Sequence, residues 1–531
     1  MTTIESTRLH PRLQQSAPTS TPLSILDATV ARFTPTGAIW VFDEKPRDLN
    51  QETFISHLRD GFIETLSKFP QWAGQLQWAP IQPNGSHTER FNRPLLVYGT
   101  EADPGVEWRV IEHPFRADEL VPTTKERAST INGNRPGAWN GGDFNQGLFI
   151  SSTPLALHNL KDYVCLPGMQ VQINLLQGGG YAIGIKMAHC LADAQTLMVF
   201  VHLWAINSQK QFGQKPKPSI MGDPIFDPAL LDSCAAGDID APEPDLALAT
   251  AARELPLHRY SWWDTADEGY PKMCIPTTEN SKPPPADLGL AIQQNKISPS
   301  TPAPWSSWDF TRPIGYTLLH FSGLQIRNLQ ARAQADANSR TDISRLDALL
   351  AHLWKSITKA REYAASQSPV YLNLSLGARP RVQPALPETF IGSPLFLTHV
   401  GMPGSQTCQA TLGETAAKIR DTMKRFTPGA MGAMLHDAAH EISPQRLWQG
   451  FLGREHTLVT SWTRLGLYDV DFVGGGGAVG GAPRYVHAVM PRMEGCLQVM
   501  DAAVGDGGMD VAVYLDEGDM GRLLGGYCCE V

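Results

Sequence analysis

The chain has 531 residues, 42% of them apolar and 18% charged, and carries a formal net charge of -9. That length supports about two to four domains, and the balance supports a large buried core. An acidic chain without long Lys/Arg runs is excluded as a wrapper of nucleic acid or a ligand of anionic membrane, since both need clustered positive charge.

Residues 1–21 are polar and rich in Ser, Thr and Pro, which predicts a flexible N-terminal tail. They have no apolar segment of the kind a secretory signal needs. TGAIWVFDE (36–44) reads as a strand. TFISHLRDGFIETL (53–66) sets Phe54, Leu58, Phe62 and Leu66 four apart, the spacing of one apolar helix face. Residues 80–155 carry many Gly, Pro and Asn and predict short strands and loops. QVQINLLQ (170–177) and YAIGIKMAH (181–189), separated by three glycines, read as a hairpin. A strongly apolar helix follows from Asp193, a favoured residue at a helix start.

Residues 209–310 are broken by prolines and predict a long crossover with a short helix near 244–254. Trp262, Trp263, Trp305 and Trp308 read there as packing anchors. Regular structure resumes with a strand over 317–322 and helices over 322–335 and 344–365. The second of these puts Leu346, Leu349, Leu350, Leu353 and Ile357 on one face. A strand over 370–376 comes next, and the last 70 residues alternate strands with glycine loops. Helices and strands alternate in both halves, so the class is α/β or α+β.

The eight cysteines are scattered and include no C-x-x-C pair, so free thiols in a reducing cytoplasm are expected rather than disulfides or zinc. The adjacent Cys528 and Cys529 match no lipidation signal and are expected to be exposed. No run approaches 18 uninterrupted apolar residues, so no membrane span is expected. His436 and His440 have the spacing of a zinc pair, but no third ligand is suggested, and a surface helix is expected.

His189 and Asp193 form H-x-x-x-D. Alone the pattern is weak: 15 histidines give about one match by chance, and His158 to Asp162 is a second. Context separates them. His158 lies in a polar stretch, whereas His189 closes an apolar strand and precedes a helix. A tight turn there can fix the imidazole while one nitrogen faces a cleft, and imidazole titrates near neutrality as a general base requires.

The segment QVQINLLQGGGYAIGIKMAHCLADAQTLMVFVHLWA resembles the one around the catalytic motif of BAHD acyltransferases, with Trp204-Ala205 at the end of the helix. Six further stretches resemble that family in order. They are PLSILDA (22–28), LRDGFIETLSKFPQWAGQL (58–76), SRLDALLAHLWKSITKAR (344–361), NLSLGARPRVQPALPETFIGSP (373–394, with Ser393 where the family has Asn), TSWTRLGLYDVDF (460–472) and VAVYLDEGDMGRL (511–523). The family's Asp-Phe-Gly-Trp-Gly is altered here. Asp471 and Phe472 remain, the tryptophan is missing, and the run continues as glycines. That run predicts a mobile loop, and it lacks the Lys-Ser/Thr of a phosphate-binding loop.

The resemblance implies two chloramphenicol-acetyltransferase-like domains, each a mixed sheet packed with helices. They would span 22–210 and 311–531, joined by the crossover 211–310, with a channel between them. It implies acyl transfer from acyl-CoA, most simply acetyl-CoA, to a hydroxyl or amine of a small specialised metabolite, without a metal, by a cytoplasmic monomer. His189 would be the general base, Trp462 the oxyanion donor and Thr460 an orienting residue. Asp193, Asp471, Arg379 and Arg381 would be structural, the two arginines pairing the two aspartates. No residue is assigned to the coenzyme phosphates. Long loops and crossover resemble fungal members. Two rivals are weighed. One is a carrier-dependent condensation enzyme, whose His-His-x-x-x-Asp-Gly has Ala188 and Ala194 at its outer positions here. The other is a fold-retaining cyclase or binding protein without coenzyme A activity.

Overall fold

The computed structural model describes residues 1–531 except 13–16, 32, 83–84, 130–135, 158–162, 217–221, 337–341, 475–480 and 528–531. The His158–Asp162 match, the glycine run after Gly474 and the Cys528–Cys529 pair fall largely or wholly outside the described residues.

The strands are β1 (Thr2–Leu9), β2 (Thr36–Phe42), β3 (Val106–Arg116), β4 (Gly137–Asn140), β5 (Met169–Gln177) and β6 (Tyr181–Met187) in the first half. The second half adds β7 (Ile314–Phe321), β8 (Pro369–Gly377), β9 (Leu395–Pro403), β10 (His456–Ser461), β11 (Tyr485–Ala488), β12 (Cys496–Asp501) and β13 (Met509–Asp516). They build two large mixed sheets. The N-terminal sheet has the order β1-β3-β5-β6-β2-β11, and the C-terminal sheet β9-β8-β10-β12-β13-β7-β4.

The expected hairpin is present, β5 running antiparallel to β6 from Met169↔Met187 to Leu175↔Tyr181. Its alternation sorts the faces. Ile183, Ile185 and Met187 enter the core under the helices, while Ala182 faces the other sheet. Gly184 allows the approach of the Phe149 carbonyl, which any Cβ would strike. Over the first face lie α1 (Gln51–Leu66) and α2 (Ala194–Gln211). They are stitched together where the Trp204 indole donates to the Leu58 carbonyl at 2.9 Å and Asn207 to Thr65 Oγ1 at 3.0 Å.

The C-terminal sheet is covered in the same way. α3 (Arg345–Ala360) starts at a capping box of Ser344 and Asp347 and buries Leu349, Leu350, Leu353, Trp354 and Ile357. Each such side chain contributes about 1.5–3 kcal/mol by burial, so this face sets the helix position more strongly than helix propensity does. A third core joins the two sheets: Ile39, Val41 and Ala182 meet Leu318, Cys496, Ala512 and Tyr514.

Three expectations are corrected. The N-terminal tail is not free throughout: Thr2–Leu9 is an edge strand paired with β3, and Thr19–Pro22 pairs with Pro94–Tyr98. An edge strand exposed on most residues needs no apolar alternation, so it reads as tail. The division at 22–210 and 311–531 also fails strand by strand. β11 pairs with β2 in the N-terminal sheet, and β4 pairs with β7 in the C-terminal one. Finally, His436 and His440 lie on a buried helix, α4 (Pro428–His440), each 1% exposed. The crossover covers them. His436 Nδ1 donates to the Ala236 carbonyl at 2.7 Å, and its Nε2 accepts from the Asp245 backbone at 2.9 Å. Both nitrogens are engaged, so the pair cannot hold a metal as it stands.

The crossover has a helix at Leu246–Arg253, where one is expected. Its Trp262, Trp263, Trp305 and Trp308 form a separate apolar core with Phe451. Among the described residues no helix is long and apolar enough to cross a membrane.

Candidate active site

β6 ends at Met187, and the chain turns through one 3-10 turn at His189–Leu191 before α2 begins. Asp193 caps that helix, its Oδ1 accepting from the Thr196 amide at 2.8 Å. The same carboxylate takes both arms of Arg379, at 2.5 Å and 3.1 Å. Arg379 also donates to Thr196 Oγ1 at 2.9 Å and to the Phe390 carbonyl at 2.9 Å. Asp193 and Arg379 are 6% and 4% exposed. A planar guanidinium on a carboxylate in two places fixes orientation as well as distance. The pair thus ties the turn after His189 to the 377–393 segment, and the Asp193 amide adds a bond to the Gly392 carbonyl at 3.1 Å.

That tie places a third residue beside the imidazole. Ser393 Oγ lies 3.0 Å from His189 Nδ1. The Ser393 amide donates to Asp27 Oδ1 at 2.6 Å, and Asp27 Oδ2 accepts from the Ser24 amide and hydroxyl at 3.0 Å and 2.6 Å. Gly392 takes φ 144°, and a Cβ there would meet Asp27 Oδ1 at 3.0 Å, so glycine is what lets the segment approach. Asp27 is 1% exposed, and burial pushes its carboxyl up to about 7, against the hydrogen bonds from Ser24 and Ser393.

Burial holds the His189 imidazole below its usual pKa, while its own carbonyl and the Asp193 charge oppose the shift. Nδ1 faces Ser393, and Nε2 has no hydrogen-bond partner among the described residues. Phe33 stands edge-on to the ring, 5.8 Å between centroids.

Trp462 follows β10, its amide bonded to the Val499 carbonyl at 2.7 Å. It is 5% exposed and belongs to the apolar core that also holds Ala188, Cys190 and Leu191 around His189. Thr460 is half-buried on β10, opposite Gln498.

The expected pairing of Arg381 with Asp471 is absent. Arg381 turns back to the Gly377 carbonyl at 2.7 Å. Asp471 Oδ1 instead caps its own turn, accepting from the amides of Val473 and Gly474 at 2.9 Å and 2.7 Å. The Asp471 carbonyl receives Gln209 of α2 at 2.6 Å. Asp471 Oδ1 and its carbonyl therefore anchor its segment to its own turn and to α2 of the N-terminal half. Sequence reasoning misses Ser393 as the partner of His189 and Asp27 as the residue that holds Ser393. Their only sequence signal is that each lies in a stretch resembling the family.

Comparisons with known proteins show what the chain as a whole is similar to. A model described as the Transferase family matches residues 261–523. Acyltransferase AFT15-1 of Alternaria alternata is 26% identical over 467 residues, 87% of this chain and 83% of the relative. Acyltransferase abl6 of Leptosphaeria maculans is 25% identical over 476 residues, 88% and 85%. Among solved structures, TRI101 of F. sporotrichioides complexed with coenzyme A and T-2 superposes with a TM-score of 0.61 at 16% identity, covering 95% of this chain and 97% of that one.

Proposed function

This chain belongs to the BAHD-type acyltransferases, and from that premise we propose that it moves an acyl group, acetyl in the simplest case, from acyl-CoA to a hydroxyl or amine of a small specialised metabolite. The observation that carries the reading is the setting of His189: Nδ1 is held against Ser393 at 3.0 Å, Nε2 has no partner among the described residues, and the turn is locked by Asp193 and Arg379. The coenzyme A bound to TRI101 supports the choice of donor.

In this reading Nε2 takes the proton from the acceptor O–H or N–H as the nucleophile attacks the thioester carbonyl. The tetrahedral oxyanion is met by the Trp462 indole N–H, with Thr460 orienting the acceptor. One such donor contributes about 2.7–4 kcal/mol to the barrier. Collapse breaks the C–S bond, and the imidazolium returns its proton to the departing thiolate, giving ester or amide and free coenzyme A. The depressed pKa keeps the base neutral at physiological pH. Asp193 and Arg379 touch no reacting atom in this scheme; they position the turn. Donor and acceptor would enter a channel between the two sheets from opposite sides, in a monomeric cytoplasmic enzyme.

Calorimetry with coenzyme A and acetyl-CoA tests the reading, with a thermal shift as control. Ligand at 100 times its dissociation constant stabilises a fold by about 2.7 kcal/mol. Saturable binding and thiol release on addition of an acceptor alcohol are expected. No binding at millimolar ligand would overturn the reading.

A further inference from the structure

The register of the C-terminal sheet brings four polar residues together. Thr460 pairs with Gln498 across β10 and β12, Met500 with Asp510 across β12 and β13, and Asp510 with His320 across β13 and β7. Paired residues project to the same side, and alternate residues along a strand share it. Leu497, Val499, Val511 and Leu319 point into the helix-covered core. Gln498, Asp510 and His320 therefore face the N-terminal sheet, the side on which Cys496, Ala512 and Leu318 pack. β10 runs parallel to β12, β13 runs against it, and β7 runs against β13. Residues 460, 500, 510 and 320 thus lie toward one end of the sheet, the end at which the chain leaves β10 for Trp462.

This patch is not a closed structural network. His320 Nδ1 is 2.7 Å from Asp510 Oδ1, with both residues buried. Nδ1 is thus taken by the carboxylate, and Nε2 is the ring atom left for a ligand. Gln498 is 1% exposed, yet its Nε2 has no hydrogen-bond partner among the described residues. Buried amides are normally paired, and an exception needs a reason. Here the surroundings offer one, because the unpaired donor sits beside Thr460 on the face that meets the His189-bearing sheet.

We propose that Gln498 and the His320–Asp510 pair form a polar subsite for the acceptor, and that the acceptor is a polyoxygenated molecule. Beyond the group that is acylated, it carries an oxygen that accepts from Gln498 Nε2–H and a hydroxyl that hydrogen-bonds His320 Nε2. A simple alcohol leaves the buried amide unmet, so the subsite discriminates by rejecting acceptors that lack the second oxygen. The identity of the ligand as acceptor rests on the acyl-transfer reading above; the binding of a polyol at this face does not.

The test compares cyclohexanol with the 1,2-, 1,3- and 1,4-cyclohexanediols and myo-inositol on the full-length protein. Each compound is titrated in a thermal-shift series without donor and then assayed for thiol release with acetyl-CoA. The expected result is a larger shift for at least one polyol than for cyclohexanol, and a kcat/KM at least tenfold higher. Gln498→Met, close in volume but without the donor, removes that preference; Gln498→Leu is read in parallel, and the ligand-free melt reports folding. A polyol-selective shift that disappears in both variants while no thiol is released would leave the subsite standing and sink the acyl-transfer reading. Equal shifts for cyclohexanol and every polyol, or a preference that survives both substitutions, would overturn the subsite.

Discussion

His189 Nδ1 lies 3.0 Å from Ser393 Oγ, across 204 residues of chain. The contact joins the first sheet to the second through one hydroxyl, and that hydroxyl is held in turn by Asp27 on the Ser393 amide at 2.6 Å. Removing it should loosen the ring without unfolding the protein. A neutral hydrogen bond contributes about 0.5–1.5 kcal/mol. Ser393→Ala should therefore lower kcat by about 3–10-fold, and Ser393→Asn, the family's residue, should recover most of the loss. A kcat unchanged in Ser393→Ala would show that the contact does not position the base.

His189→Ala should cost about 10²–10⁴ in kcat/KM, the usual contribution of a positioned general base. Circular dichroism and the melting temperature should stay near wild type, because one ring nitrogen has no partner to lose. Near-native turnover would remove His189 from the mechanism.

Trp462→Phe keeps the ring and deletes the N–H. It should lower kcat by about 10²–10³ while the thermal shift with coenzyme A persists. A variant that loses donor binding and keeps its rate constant at saturation would reassign Trp462 to packing or to the donor site.

Arg379→Ala leaves Asp193 buried without its cation. Breaking a buried pair from one side costs about 3–5 kcal/mol, which urea unfolding should register as a lower midpoint with an unchanged slope. The double variant Asp193→Asn, Arg379→Met should regain part of it. Equal stability of wild type and Arg379→Ala would mean that the bidentate contact contributes nothing net.

Two pH profiles follow from buried imidazoles. Burial depresses His189, so the base stays neutral below pH 6.5 and the acid limb of kcat/KM should fall below that value. Burial also holds His399 and His440 at about 4 and His456 and His487 at about 3. The unfolded chain takes up these protons near 6.5 and the folded one does not. Their contribution to stability is therefore complete above pH 6.5 and is lost as pH falls toward 4 and then 3. Denaturant midpoints measured from pH 7.5 to 4.5 should decline; a flat profile would contradict the depressed values.

Local signals carry much of this fold. The alternation of 181–187 and the four-residue spacing of Phe54, Leu58, Phe62 and Leu66 are visible in sequence because each element buries one face of its own. Asp193 is legible as a helix cap, and its arginine partner emerges from the resemblance. What escapes depends on distant chain. Thr2–Leu9 is exposed at an edge and shows no apolar face. The burial of His436 comes from Ala236 and Asp245, nearly 200 residues away. Ser393 reaches His189, and Asp27 reaches Ser393, only once both sheets exist. Arg381 shows the limit of analogy: it carries the right charge in the right stretch, yet the turn after β8 hands it to the Gly377 carbonyl rather than to Asp471.

The exchange of β4 and β11 between the sheets has a consequence for biosynthesis. The N-terminal sheet lacks its outer strand until Tyr485–Ala488 has been made, and the C-terminal sheet borrows Gly137–Asn140 from a segment translated long before it. Neither half can finish on the ribosome by itself. The nascent first half must wait with the β2 edge unpaired, and a gene cut at the crossover yields two fragments that can each be completed only by the other.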